Sequence, residues 1–229
     1  MKRFKSGGSI VGMVTIGQSP RTDVTSDVAE ILGPSIKITE CGALDSLTDE
    51  EIAELKPGFD DEILVSRLRD GTEVQLGHTQ IVELTQRCID GIEGRVDVVV
   101  LLCTGEFPEL TSRRLIMKPS SIVSHLVGSL LSQGSLGVLV PSSDQLETTK
   151  SKWVRDGLSV IVESLSPYQE IDEAHVRRVA RKLKESGVDL VVLDCIGYTT
   201  ELSEHFKTIT GVPTLLPRTL VARMVREIL

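Results

Sequence analysis

Two segments of the same shape, VDVVVLLCTGEF at 96–107 and VDLVVLDCIGYT at 188–199, constrain the fold more than any other feature of the chain. Each opens on Val-Asp, continues through apolar residues, reaches a cysteine in the eighth position and has glycine two residues further on. A short, unbroken Val/Leu run describes a strand covered on both faces, the arrangement of parallel sheets flanked by helices. Cys103 and Cys195 then stand at strand carboxyl ends, where open parallel sheets place their sites.

The surrounding sequence repeats this strand-helix rhythm. SIVGMVTIG from Ser9 predicts a buried strand and a tight turn, DVTSDVAEIL a helix stopped by GPS, and SIKITECG a second strand. LTDEEIAEL predicts a helix before Pro57-Gly58. In DEILVSRLRDGTEVQLG the period changes to two, and Arg69-Asp70-Gly71 marks a hairpin turn. HTQIVELTQRCIDGIEG predicts the helix that leads into the first cysteine strand. The second half offers SLGVLVPSS as strand and loop, DQLETTKSKWVRDG as helix and LSVIVESLS as strand. IDEAHVRRVARKLKESG predicts a helix before the second cysteine strand, and ELSEHFKTI, VPTLLP and RTLVARMVREIL predict helix, strand and terminal helix.

These elements define an α/β fold of two pseudo-symmetric lobes, with mostly parallel sheets flanked by helices. The boundary falls near Pro119 or Ser120, giving a first lobe over residues 1–119, completed by 215–229, and a second over 120–214. The first half's opening strand lies farther ahead of its cysteine than the second's, by about the length of the hairpin and its flanks. Divergent copies with a hairpin insertion in the first lobe explain the excess.

Composition narrows the function classes. The chain has 229 residues and a formal charge of 25 minus 33, or -8, which disfavours nonspecific nucleic-acid binding. The most basic segment, HVRRVARKLK, has the period of a solvated helix face. No run approaches the roughly 18 apolar residues of a membrane span, and MKRFKSGG reads as peripheral, without a signal-peptide core. The expectation is a cytoplasmic protein with no nucleic-acid or membrane partner. Its four cysteines, Cys41, Cys88, Cys103 and Cys195, are too dispersed for a zinc quartet or a secreted disulfide framework. Reduced thiols are expected, with Cys41 and Cys88 structural.

Cys103 and Cys195 admit two readings. Each can be a small buried hydrophobe that ends a strand. Their duplicated setting also suits two thiols facing one substrate, one removing a proton from carbon and the other returning it on the opposite face. Backbone amides at Gly105 and Gly197 would help to stabilise the developing charge. Asp194 would tune Cys195. In GQSPR, after the first strand, Gln18, Ser19 and Arg21 are candidate carboxylate anchors, against a reading in which they shape the turn. In PSSD, Ser142 and Ser143 either cap the next helix or face the ligand. The four histidines suit surface or packing roles, and Glu106 and Glu109 are acids near Cys103 or exposed loop charges.

TIGQSPR, LLCTGEFPEL and LDCIGYT resemble the AroM family over nearly the whole chain, and more distantly the aspartate/glutamate racemase superfamily. The wider resemblance implies opposed cysteines at positions 103 and 195, proton transfer without a cofactor, Thr104 as a carboxylate contact, and a homodimer. The chain reads Cys103-Thr104-Gly105 where the racemase-like motif commonly reads Cys-Asn-Thr, and Cys195-Ile196-Gly197 where the second commonly reads Cys-Thr followed by His or Glu. The resulting expectation is a cofactor-independent isomerase or racemase for a small anionic metabolite. The alternatives are a related lyase or decarboxylase, or a carboxylate sensor without turnover, which Asp194 and Ile196 favour.

Overall fold

The computed structural model describes residues 8–59, 61–154, 157–170 and 172–229. Most of the basic opening segment, and Arg155 and Asp156, therefore lie outside the described residues; the helix predicted to run to Gly157 ends at Trp153, where Val154 is already extended. One parallel sheet has the order β2-β1-β5-β6, formed by β1 (Ser9–Thr15), β2 (Ile36–Gly42), β5 (Val98–Leu101) and β6 (Leu115–Met117). The other repeats that order as β8-β7-β9-β10, with β7 (Gly134–Val140), β8 (Leu158–Ser164), β9 (Leu190–Leu193) and β10 (Thr214–Leu215), again all parallel. In each sheet the third strand in sequence, β5 or β9, leads to a featured cysteine. Every residue of β5 and of β9 is buried, as an apolar run sandwiched between helices requires.

Helix α6 (Glu173–Glu185) shows why the covering layers form. Val176, Val179, Ala180 and Leu183 recur at helical spacing and are buried, while the arginines and lysines between them face water. The Asp172 carboxylate caps it by accepting the Ala174 N–H at 3.0 Å. Each buried valine or leucine contributes about 1.5–3 kcal/mol, so a charge at Leu183 would release the helix from its sheet. The terminal helix α8 (Pro217–Ile228) packs on α1 (Thr22–Leu32), with Val221, Ala222 and Val225 meeting Val24, Val28 and Leu32 in one apolar cluster. The chain thus ends against the helix that follows its first strand. The apolar pattern did not single out β6 or α4 (Pro119–Leu130), because β6 has three residues and begins on the exposed Leu115.

Strands β3 (Ile63–Arg67) and β4 (Glu73–Gly77) form the antiparallel hairpin expected around Arg69-Asp70-Gly71. Gly71 has φ +102°, which a side chain would resist. The hairpin lies between β2 and β5 and spans the two halves of the molecule. Gln18 N–H donates to the Arg67 carbonyl on one side, and Gln145 Nε2 donates to the Ile63 carbonyl on the other.

One expectation is corrected. Cys41, on β2, and Cys88, on α3 (His78–Ile92), form a disulfide, with Cα atoms 5.8 Å apart. Helix α3 crosses β2 and brings together two residues that are 47 apart in sequence. Among the described residues no helix is long and apolar enough to cross a membrane.

Candidate functional site

The loops leaving β5 and β9 meet at a cavity of about 310 Å³. Cys103 and Cys195 both line it, together with residues of β3, of helix α5 (Leu146–Trp153) and with Tyr168 from the loop after β8. The thiols are 8 % and 5 % exposed, and both are free. Their local geometry is the same. Gly105 N–H donates to Cys103 Sγ at 3.3 Å and Gly197 N–H donates to Cys195 Sγ at 3.4 Å. The spacing that puts glycine two residues after each cysteine therefore aims a backbone donor at each sulfur.

A hydrogen bond joins the two strand ends directly. Thr104, next to the first thiol, donates its hydroxyl to the carbonyl of Asp194, next to the second, at 3.0 Å. Lys152 Nζ donates to the Thr104 carbonyl at 3.2 Å and to Asp194 Oδ2 at 3.3 Å, and Trp153 Nε1 donates to the same carboxylate oxygen at 2.9 Å. Burial alone would lower the Lys152 pKa, but the adjacent Asp194 charge and hydrogen bond outweigh it, and the ammonium is held. Asp194 thus turns Oδ2 toward Lys152 and Trp153, while its buried Oδ1 has no hydrogen-bond partner among the described residues.

The thiols differ in electrostatic setting. Burial pushes the Cys103 pKa up to about 12; Gly105 N–H opposes the rise, and the proximity of Cys195 and Glu62 adds to it. Burial also raises Cys195, opposed by Gly197 N–H, the Tyr168 hydroxyl and the charge of Arg21. Arg21 Nη2 donates to the Tyr168 oxygen at 3.2 Å, and that oxygen lies 3.6 Å from Cys195 Sγ. A guanidinium can only donate, so the phenol accepts from it, and its own O–H is the donor to the sulfur whenever Cys195 is a thiolate. Gly197 permits this approach, since a Cβ there would lie 2.6 Å from the Tyr168 ring.

The candidates read from the sequence divide into two groups. Cys103, Thr104, Gly105, Asp194 and Cys195 line the cavity. Gln18, Ser19 and Arg21 do not, because their polar groups are engaged elsewhere. Gln18 Oε1 accepts from Arg69 N–H at 2.8 Å, and Ser19 donates its hydroxyl and its N–H to Asp45 at 2.6 and 2.7 Å. The Arg21 guanidinium is buried, chelates Asp23 at 2.9 and 2.8 Å and reaches Thr15 Oγ1 at 3.2 Å. It meets the cavity wall through its hydrogen bond to Tyr168 and acts on Cys195 through its charge. Ser142 accepts Asp144 N–H and caps the 3₁₀ turn Ser143–Gln145, so neither serine lines the cavity. Gly197 packs behind it against Tyr168.

Four residues escaped the sequence reading. Lys152 is a lysine in an otherwise ordinary helix, Glu62 opens the hairpin, and Tyr168 sits in a loop without a motif. Arg218, 1 % exposed, donates to the carbonyls of Ile196 and Gly197 and to Asp27, fixing the loop behind Cys195. A usable signal was present for Arg218 alone: an arginine directly after the proline that starts the terminal helix.

Two parallel sheets of matching order, with a buried thiol after the third strand of each, define a two-lobed α/β protein with its candidate site at the strand ends. Residues 11–229 match the family described as AroM protein, and the chain belongs to that family. No curated protein sequence matches the chain. Among solved structures it is similar to the maleate isomerase Iso of Pseudomonas putida S16, with TM-score 0.62 and 14 % identity over 96 % of this chain and 92 % of that one. A glutamate racemase of Francisella tularensis subsp. tularensis SCHU S4, in complex with D-glutamate, aligns with TM-score 0.60 and 12 % identity over 97 % and 81 %. An arylmalonate decarboxylase aligns with TM-score 0.61 and 14 % identity over 95 % and 92 %. At such identities the likeness is one of fold.

Proposed function

We propose that the protein is a cofactor-independent isomerase or racemase that moves a proton at the α-carbon of a small carboxylate between Cys103 and Cys195. The observation that carries this reading is the pair of thiols, each at the same place in its own sheet, lining one cavity. A thiolate removes the α-proton, and the C–H electron pair passes into the carboxylate as an enediolate. The opposite thiol then gives its proton to the other face of the carbon and is left as the new thiolate. Both thiols rest protonated because burial raises them, so the base must form in the complex, with its proton leaving as the substrate seats. Cys195, facing the Tyr168 hydroxyl and the Arg21 charge, is the better placed to carry that negative charge. The fold likeness to a maleate isomerase and a glutamate racemase supports the class of chemistry.

The same inequality of the thiols supports a second reading, a lyase or decarboxylase in which one cysteine protonates a carbanion; the likeness to an arylmalonate decarboxylase agrees with it. A sensor that binds without turnover is the non-enzymatic rival.

Incubating the protein with a metabolite panel in deuterated water, with NMR and chiral chromatography as readouts, separates the three. Exchange of an α-hydrogen with interconversion of enantiomers or isomers supports proton transfer between the thiols. Cys103→Ser and Cys195→Ser, confirmed to be folded, should each slow interconversion by about 10²-fold or more, because a serine hydroxyl is a far weaker proton carrier. Full activity in either variant rejects the two-thiol mechanism. Loss of carbon dioxide selects the decarboxylase, and tight binding without exchange selects the sensor.

A further inference from the structure

Beyond the thiols, the cavity carries a charge pattern that restricts what it can hold. Its charged lining residues are Glu62, Glu106, Lys152 and Asp194. Lys152 is its only cationic side chain among the described residues, since Arg21 lies behind Tyr168 and Arg218 behind Ile196. An ammonium has three N–H groups. Two of those of Lys152 go to the Thr104 carbonyl and to Asp194 Oδ2, and both bonds are long, at 3.2 and 3.3 Å. Thr104 follows one thiol and Asp194 precedes the other, so Nζ sits between the two segments that present the sulfurs. A carboxylate on its third N–H would hold the adjacent α-carbon near both. Asp194 keeps its bond from Trp153 Nε1 when Lys152 turns to a ligand.

The rest of the lining supplies no second positive charge among the described residues. Asp194 already balances Lys152, which leaves Glu106 and Glu62 in excess; burial pushes the Glu62 carboxyl above its ordinary value, against the pull of His78 and Lys152, and the charges of Glu106 and Asp194 add to the rise. The other walls are mixed: Leu64, Val65, Leu102, Val140 and Ile196 give an anion no donor, while Ser66, Gln145, Thr148 and Thr149 are neutral polar groups that bring no positive charge to balance one. A thiolate formed in turnover adds to the negative field, and inside a cavity of this kind salt screens such repulsion poorly.

We infer that the cavity selects molecules with a single carboxylate, seated on Lys152 Nζ, and that Glu62 and Glu106 exclude dicarboxylates. This rests on the reading of the cavity as a substrate site, but not on turnover. The carbon bearing the carboxylate then carries an apolar group, or an ammonium facing the two glutamates.

The test measures binding by calorimetry near neutral pH, using three matched pairs: leucine and glutamate, 2-methylbutyrate and maleate, 2-phenylpropionate and phenylmalonate. The expected result is that at least one single carboxylate binds ten or more times tighter than its dicarboxylate partner. Lys152→Met should abolish that binding and Lys152→Arg should retain part of it. Because Lys152→Met strands the Asp194 charge, the paired variant Lys152→Met with Asp194→Asn keeps the test valid if the single variant misfolds; it too should not bind. Glu62→Gln should raise dicarboxylate affinity and narrow the ratio. Equal or tighter binding of the dicarboxylates, no binding by any of the three single carboxylates, or unchanged affinity without Lys152 would each overturn the inference. A ligand that binds in the expected pattern but exchanges no α-hydrogen counts against proton transfer and leaves the selection rule standing. Exchange on a dicarboxylate does the reverse.

Discussion

Tyr168→Phe removes one oxygen, and that oxygen is the link between Arg21 and Cys195. The hydroxyl lies 3.2 Å from Arg21 Nη2 and 3.6 Å from Cys195 Sγ. A hydrogen bond to a charged group contributes about 1.5–3 kcal/mol at good geometry. At this longer sulfur contact, about 1–1.4 kcal/mol is the appropriate differential between thiolate and thiol. That energy is a fivefold to tenfold loss of thiolate at any pH below the thiol pKa, at about 1.4 kcal/mol per factor of ten. A more basic thiolate is also a better nucleophile, with a Brønsted slope of about 0.4–0.5, so the net fall in alkylation rate is roughly threefold. The assay is iodoacetamide labelling across the pH range, with Cys103 and Cys195 followed separately by peptide mass spectrometry. Cys103 receives no bond from Tyr168 and serves as the internal reference for access to the cavity. Slower labelling of Cys195 with Cys103 unchanged is the expected result. Equal slowing of both, or no change at Cys195, would refute the assignment of Tyr168 as the group that favours the Cys195 thiolate.

Two further outcomes bear on the fold. Thiol titration of the denatured, unreduced protein should find only Cys103 and Cys195 free, and Cys41→Ser with Cys88→Ser should lower urea stability by up to about 4 kcal/mol for a loop of this length; four free thiols would contradict the pairing. Glu93 accepts from the Arg113 backbone N–H at 2.7 Å, from the Arg113 guanidinium at 2.5 Å and from the Ser112 hydroxyl at 2.8 Å, and these bonds, the backbone one foremost, hold its pKa down to about 2. A carboxylate depressed in the folded state stabilises fully above its ordinary value of 4.5 and loses that contribution as pH falls toward 2, so Glu93→Gln should flatten the decline in stability across that interval, measured by urea midpoints at stepped pH.

Much of the architecture was legible because it rests on patterns that chain sequence expresses locally. The Val/Leu runs before Cys103 and Cys195 can be buried on both faces only in a helix-covered parallel sheet, and Gly71 marks its own turn. The three-residue β6 has too little pattern to read, and the Cys41–Cys88 bond depends on how α3 crosses β2, which no local period records. At the site, the thiols were legible because strand-end position is a local property, whereas the Thr104 hydroxyl, expected from the family resemblance to meet a carboxylate, is donated to the Asp194 carbonyl. Arg21 illustrates the opposite case. Its sequence context, just beyond a strand end, suits an anion anchor, yet the nearby Asp23 satisfies its guanidinium and Tyr168 stands between it and the cavity. Lys152 matters because α5 lies over the Thr104–Asp194 junction, a tertiary relation with no sequence signature.

The hydrogen bond from Thr104 to the Asp194 carbonyl separates two jobs within the molecule. It fastens the neighbours of the two sulfurs to each other across the lobes, so the spacing of the thiols belongs to the strand ends. The other cavity walls, which under the proposed function would meet the rest of a ligand, belong elsewhere: to the β3–β4 hairpin, to α5 and to the loop bearing Tyr168. Such a division makes the reactive frame and the recognising walls separately mutable. Exchanging hairpin or helix side chains can retune which molecule is admitted while the sulfurs keep their register, which is the condition under which one scaffold diversifies its substrates without reinventing its chemistry.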